Sequence, residues 1–399
     1  MIKKMFQHFD YTMVIPVLLL GAFGVLMVYS SGIYWADWLG FAPDHFFVQQ
    51  SMNFAAALVA FAFAMLFPYK AYAKFMKPIL GISLLLLVFV KLNGTVSGNA
   101  QSWINVAGVN FQPSEFAKIG VIIYLAAVFS KKQHYITNFS RGVVPPLIVI
   151  LITFLLIAAQ PDLGTAMIIA GISGVMIVCS GMRIKHLTAL LGLAVIGISV
   201  MLLFGSILSL EQLSRFDAAY HPFEHSEDDA GYQMINSYLA IAAGGLTGRG
   251  LGDGIQKYGF LPESYTDFIM AIIAEEFGLI GVTLVIGTLC FLVFKGFIIG
   301  IRCKDTFGSL LAVGIAGMIG VQSVINLGVV CGLLPVTGIP LPFVSYGGSS
   351  LVVCMFAMGV LINISMFIRW KKDESNGHEQ PEPHSVFQQG EGAYRTTHR

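Results

Sequence analysis

Asp267 stands in Leu261-Pro-Glu-Ser-Tyr-Thr-Asp-Phe-Ile-Met270, where a long polar segment gives way to an apolar run. A carboxylate at the mouth of a membrane helix is costly to hold, so it points to chemistry or transport. With a helix starting there, Asp267, Ala271, Ala274 and Gly278 share one face, and small residues on a face leave a close helix contact or a groove. Glu275 borders that face about two turns further in, with Glu276 beside it, and both must be neutralised, paired or wet. Lys118, about one turn inside another apolar run, is the expected partner; snorkelling to the interface is its alternative. For Asp267 the plainer alternative is an N-terminal helix cap.

Other polar clusters accompany this one. Gly98-Asn-Ala-Gln-Ser-Trp-Ile104 carries Trp103, and Gln112-Pro-Ser-Glu-Phe-Ala-Lys118 carries Gln112 and Ser114 in the form of a helix start. Gln160-Pro-Asp-Leu-Gly-Thr165 repeats that chemistry, with Asp162 as the cap. Gly244-Gly-Leu-Thr-Gly-Arg-Gly-Leu-Gly-Asp-Gly254 could bring backbone amides and the Arg249 guanidinium to a phosphate, although it is neither a dinucleotide fingerprint nor a P-loop. Gly332 to Ser350 contains three prolines in an apolar loop, which must re-enter or lie flat on the bundle and would suit a lipid tail. The His- and acid-rich run from Glu211 to Asp229 matches no metal-ligand spacing.

Long apolar runs position these clusters. The 399 residues are 56% hydrophobic and 11% charged, with a mean hydropathy of +0.76, the balance of a polytopic helical membrane protein. The pattern predicts an all-α bundle of about ten spans, near 11–31, 46–67, 77–91, 115–130, 143–159, 163–181, 186–206, 267–294, 306–332 and 346–369. A short, partly apolar helix is expected within 232–243. One set of loops holds Lys3, Lys4, Lys70, Lys74, Lys77, Lys131, Lys132, Arg141, Arg183, Lys185, Lys295, Arg302, Lys304, Arg369, Lys371 and Lys372; the other holds only Lys91, Arg215, Arg249 and Lys257. This asymmetry puts both termini in the cytoplasm and the loop 207–266 outside. Residues 1–370 form one transmembrane domain, and 371–399 read as a disordered tail. The five scattered cysteines suggest neither disulfides nor a metal cluster. The net charge of +1, without a basic stripe, gives no sign of nucleic-acid binding.

Six of these clusters, in this order, resemble the SEDS family of bacterial cell-wall polymerases, whose members include FtsW, RodA and SpoVE. The likeness covers almost all of residues 10–370. It implies a peptidoglycan glycosyltransferase that polymerises lipid II outside the cytoplasmic membrane, partnered by a class B penicillin-binding protein and by other division or elongation proteins. It also implies that Asp267 is the catalytic acid position. Many members carry a basic residue just before the tryptophan of the first cluster; Gln101 and Ser102 stand there in this chain, which shifts cationic roles to Lys118 and Arg249. The short N-terminus and polar tail look more like the division-type branch.

The implied reaction joins an α-linked sugar diphosphate into a β-1,4 strand, so displacement inverts. Asp267 is expected to act as general base on the acceptor hydroxyl. Lys118 and Arg249 would stabilise the departing diphosphate, with a divalent cation (Mg or Mn) held by acids near Asp267 as an optional aid. Glu275, Glu276, Gln112, Ser114 and Trp103 are expected around the substrate, its lipid chain lying between spans. The rival readings are a lipid II flippase, a scaffold that recruits other proteins, and an ion-coupled transporter; no inverted repeat supports the last.

Overall fold

The computed structural model of the chain describes residues 7–378, apart from 98–99, 107–108, 136–137, 184, 187, 189–191 and 193–209. Eleven of its helices organise the protein: α1 (Tyr11–Trp38), α2 (His45–Leu66), α3 (Met76–Asn93), α4 (Pro113–Lys131), α5 (Val144–Ala158), α6 (Leu163–Cys179), α7 (Leu210–Tyr220), α8 (Asp229–Gly244), α9 (Ile269–Arg302), α10 (Thr306–Val330) and α11 (Gly348–His378). Seven of these, α1 to α4 and α9 to α11, are long and apolar enough to cross a membrane, and α5 and α6 are shorter apolar helices. The protein is a mostly helical, multi-pass membrane protein. The span expected at 186–206 lies outside the described residues.

The helix starts follow local chemistry. Pro113 opens α4, where its missing N–H is no loss. Asp162 caps α6 by accepting from the Thr165 N–H at 3.0 Å, as its sequence context predicts. Asp305 does the same for α10 through the Gly308 N–H at 3.1 Å. In the packed bundle, α4, α10 and α11 are largely enclosed, while α1, α2, α3 and α9 turn most of their apolar surface outward, as lipid-facing helices do. Helix α10 packs against α4, α6 and α9, so it forms the central post on which the polar clusters meet.

Three features depart from the expected pattern. A small antiparallel sheet, β1 (Thr95–Ser97), β2 (Ala100–Val106) and β3 (Val109–Phe111), lies between α3 and α4, so the fold is not purely helical. Trp103, Ile104, Val106, Val109 and Phe111 supply the aromatic and β-branched content that favours strands, in a segment too short to register as one beside long apolar runs. The loop 207–266 contains α7 as well as the expected α8. Finally, α11 continues to His378, so residues 371–378 of the expected tail are helical. Trp370 donates to Glu374 at 2.8 Å, and His8 meets Asp373 at 3.1 Å, which fastens that extension to the N-terminal segment.

At the end opposite Asp267, Asp10 gathers Arg369 at 2.7 Å and Lys295 at 3.2 Å, tying α1, α9 and α11 together. Burial raises the carboxyl's pKa, but the Thr12 hydroxyl and the two cations outweigh it and hold Asp10 below its ordinary range.

Candidate functional site

Asp267 lies in the turn immediately before α9, two residues ahead of the first helical position. Glu263 adopts φ +52°, a left-handed conformation that bulky residues reach only under constraint. Its carbonyl accepts from the N–H groups of Thr266 and Phe268, both at 3.2 Å, which closes a tight turn. The Thr266 hydroxyl lies 2.6 Å from a Glu263 carboxylate oxygen and 3.1 Å from Asp267 Oδ1, linking the two acids. Asp267 is only 5% exposed, and α9 has no side-chain cap, so the capping reading of this carboxylate does not hold. Burial pushes its pKa above the ordinary carboxyl range and the charge of Glu263 adds to this; its own N–H, the Thr266 hydroxyl and the charge of Arg215 pull the other way. Arg215, on α7, therefore lies within electrostatic reach of Asp267. Sequence reading had counted it only as a loop cation.

The turn is anchored from α10. Asn326 Nδ2 donates to the Asp267 carbonyl at 2.7 Å and to the Ile339 carbonyl at 2.8 Å. One helical turn away, Gln322 Nε2 donates to the Pro340 carbonyl at 2.9 Å and to Ser350 Oγ at 3.3 Å. These two amides pin the proline-rich loop against the bundle and satisfy backbone that lipid could not. Both escaped the sequence reading, although two amides at i, i+4 in an otherwise apolar span are a usable signal.

Lys118 does not meet Glu275 or Glu276. Its ammonium is fully buried and bonds Glu115 at 2.8 Å and the Gln322 side-chain carbonyl at 2.8 Å. The partner is therefore one turn away on its own helix, where an i, i+3 pair forms without any long-range packing. Gln112 joins the same region, its N–H donating to Ser349 Oγ at 3.1 Å and its amide to Asp162 at 3.3 Å. Ser114 is buried and its hydroxyl has no hydrogen-bond partner among the described residues. Three predicted clusters, around Gln112, Asp162 and Ser349, thus converge. Trp103 is half-buried on β2 opposite Thr95, and the sheet packs against α3 and α4. No described hydrogen bond joins Trp103 to the Asp267 turn.

Helix α9 is broken. Gly278 has φ +62° and ψ −157°, which divides the helix into a short leading half that carries Glu275 and Glu276 and a long trailing half. The glycine-rich loop fills the break like a strand edge. Arg249 and Gly250 N–H groups donate to the Glu275 and Glu276 carbonyls, both at 3.0 Å, while Leu279 N–H donates to the Gly245 carbonyl at 3.0 Å. The two acids are therefore not immersed in an unbroken span. Glu275 accepts from the Ile255 and Gln256 N–H groups at 2.8 and 3.1 Å, with Arg249 at 3.9 Å. Glu276 pairs with Lys257 at 2.5 Å and accepts from Ser30 of α1 at 2.7 Å. They organise the loop, and Arg249, 39% exposed, is the cation the loop presents outward. The face of small residues expected along α9 is likewise filled, since a Cβ on Gly244 would fall 1.8 Å from the Ala274 carbonyl.

Gly278 cannot gain a side chain without displacing this loop: a Cβ would fall 2.4 Å from the Gly248 nitrogen, and its φ disfavours any L-residue. Gly278→Ala is expected to undock the loop and make the bond after Arg249 sensitive to trypsin. Limited proteolysis of the purified variant against the wild type checks this.

Comparison with known proteins finds relatives over most of the chain. The family model for FtsW/RodA/SpoVE cell cycle proteins matches residues 10–369. The chain is 49% identical to the probable peptidoglycan glycosyltransferase FtsW of Bacillus subtilis (strain 168), over 94% of each chain. It is 43% identical to stage V sporulation protein E of the same organism, over 90% of this chain and 98% of that one. Among solved structures, a chain from work on the coordination of polymerization and crosslinking by a peptidoglycan synthase complex superposes with a TM-score of 0.73. It is 26% identical over 90% of this chain and 98% of its own. The rod shape determining protein RodA of Thermus thermophilus gives 0.66 at 26% identity, over 90% and 96%. With most of its length matched and relatives this similar, the chain belongs to the FtsW/RodA/SpoVE family of cell cycle proteins.

Proposed function

We propose that this protein is a peptidoglycan glycosyltransferase that polymerises lipid II on the outer face of the bacterial cytoplasmic membrane, in septal synthesis. The observation that carries the reading is the buried Asp267, which caps no helix and lies within reach of the Arg215 charge. In the outward topology with ten spans and both termini cytoplasmic, the lysines and arginines of the opposite loops fall inside, and Asp267 falls at the outer leaflet. The names of the relatives support glycosyl transfer, and the FtsW relative's higher identity favours the division role.

In the proposed reaction, ionised Asp267 takes the proton of the acceptor sugar 4-hydroxyl as its oxygen attacks the donor anomeric carbon; the bond to the lipid diphosphate breaks with inversion. Such a base contributes about 10²–10⁴-fold. Arg215 and Arg249 take the role of stabilising the departing diphosphate. Lys118 is enclosed by Glu115 and Gln322, so it holds the loop anchor and does not touch the diphosphate in this arrangement. A divalent cation would fit the linked pair Asp267 and Glu263, since Mg²⁺ sites use about one or two carboxylates plus substrate phosphates. Among the described residues, no group of three His, Cys, Asp or Glu side chains is gathered to hold one without substrate. A class B penicillin-binding protein is the proposed partner, supported by the synthase-complex neighbour.

Purified protein in liposomes with lipid II is expected to yield glycan ladders. Transbilayer movement of lipid II without polymer would instead establish the flippase reading. Lys118, one of the groups that could line such a path, is buried against Glu115 and Gln322, which does not favour that reading.

A further inference from the structure

At the end of the bundle that holds Asp267, the turn between α7 and α8 borders an open cleft of about 420 Å³, within the roughly 300–1,000 Å³ usual for small-ligand sites. Its walls include Tyr220, His221, Phe223 and Glu224 from the turn, Tyr238 from α8, and Gly332 just beyond α10. Tyr220 and Phe223 are 62% and 74% exposed, so neither ring is spent on packing the core. Gly332, at φ +73°, is required by the shape: a Cβ there would fall 1.7 Å from the Tyr238 hydroxyl. The turn is braced by His225, which bridges Asp217 at 2.9 Å and Asp228 at 2.8 Å.

Two helices connect this cleft to Asp267. On α7, Arg215, whose charge acts on Asp267, precedes Tyr220 by five residues, about 7–8 Å along the axis. On α10, Asn326, which holds the Asp267 carbonyl, stands four residues, about 6 Å, before the helix ends at Val330, and Gly332 follows just beyond that end. The cleft thus stands on the same two elements that bear on Asp267.

The chemistry of the walls selects the occupant. No lysine or arginine lines the cleft among the described residues, and Glu224 repels anions, which disfavours a diphosphate. An acyl chain would leave His221 and Glu224 without use. A β-linked sugar has apolar C–H faces that pack on aromatic rings and equatorial hydroxyls that bond imidazole, carboxylate and phenol groups.

We propose that this cleft is a saccharide subsite, holding one unit of the β-1,4 glycan strand while Asp267 acts on a nearby one. The assignment rests on the glycosyltransferase reading above. It is tested with the full-length protein in nanodiscs, titrated with chitotetraose as a soluble β-1,4 probe and followed by saturation-transfer NMR. Saturable binding is expected, weakened about tenfold or more, or roughly 1.4 kcal/mol, by Phe223→Ala and by Tyr220→Ala, and restored by Phe223→Tyr. Both alanine variants should also make shorter strands from lipid II. Asp267→Asn should bind the probe as the wild type does, so a failure of the base assignment is seen separately. Absence of saturable binding, unchanged binding in both alanine variants, or loss of transpeptidase association with sugar binding intact would each overturn the subsite.

Discussion

Asp267→Asn is expected to fold and insert normally yet lose strand synthesis from lipid II by about 10²–10⁴-fold, the usual contribution of a positioned base. The substitution keeps the size of the side chain and its bond to Thr266, so the turn between Glu263 and Ile269 has no reason to change. The wild-type rate should follow the ionised fraction of Asp267. Because burial raises this carboxyl above the ordinary aspartate value of 3.8, activity should still climb with pH well beyond the range of an ordinary aspartate. The linkage has the opposite sign for stability. In the window from 3.8 up to the raised folded value, the folded protein binds the extra proton, so raising pH through that window destabilises it. The asparagine variant escapes this, and its thermal midpoint near neutrality should equal or exceed that of the wild type. A variant that keeps most of its polymerisation, or a wild-type rate flat across that window, would remove Asp267 as the base. Glu263→Gln gives an internal control: removing the neighbouring charge should move the rising limb toward lower pH.

Much of this arrangement was readable from residue order because lipid imposes a simple code. Long apolar runs locate helices without any knowledge of packing. Asp162 as a helix cap needed only its next three residues, and Asp267 stood out because few carboxylates occur beside such runs. What stayed hidden depends on partners distant in sequence. Glu275-Glu276-Phe277-Gly278-Leu279 reads as ordinary helix; its break becomes stable only when the carbonyls it frees meet the amides of Arg249 and Gly250. Lys118 was expected to seek those acids, yet Glu115 is nearer on its own helix, and Gln322, 204 residues away, completes its shell. Lys257 and Arg215 were sorted as loop cations, since nothing local distinguishes a charge that will be buried or will face Asp267 from one that stays in water.

Lys257→Met provides the second large expected effect, on stability first and on activity through it. Lys257 and Glu276 are nearly inaccessible, with side chains 4% and 0% exposed, and Ser30 bonds both. Removing the ammonium alone leaves a buried carboxylate with only the Ser30 hydroxyl, a loss of about 3–5 kcal/mol for broken pairs of this kind. The loop should then detach from α1 and from the break in α9, taking Arg249 away from the substrate. Thermal unfolding in detergent and strand synthesis from lipid II should both fall. Combining Lys257→Met with Glu276→Leu removes the stranded charge while the backbone bonds from Arg249 and Gly250 persist, since they need no side chain. Replacing both ions by apolar groups is often neutral or stabilising, so the double variant should regain the lost stability. If activity returns with it, the ion pair serves only to hold the loop. If stability returns without activity, the charge at Glu276 contributes to the reaction beyond holding the loop. A single variant as stable as the wild type would show instead that the loop is held by its backbone bonds alone.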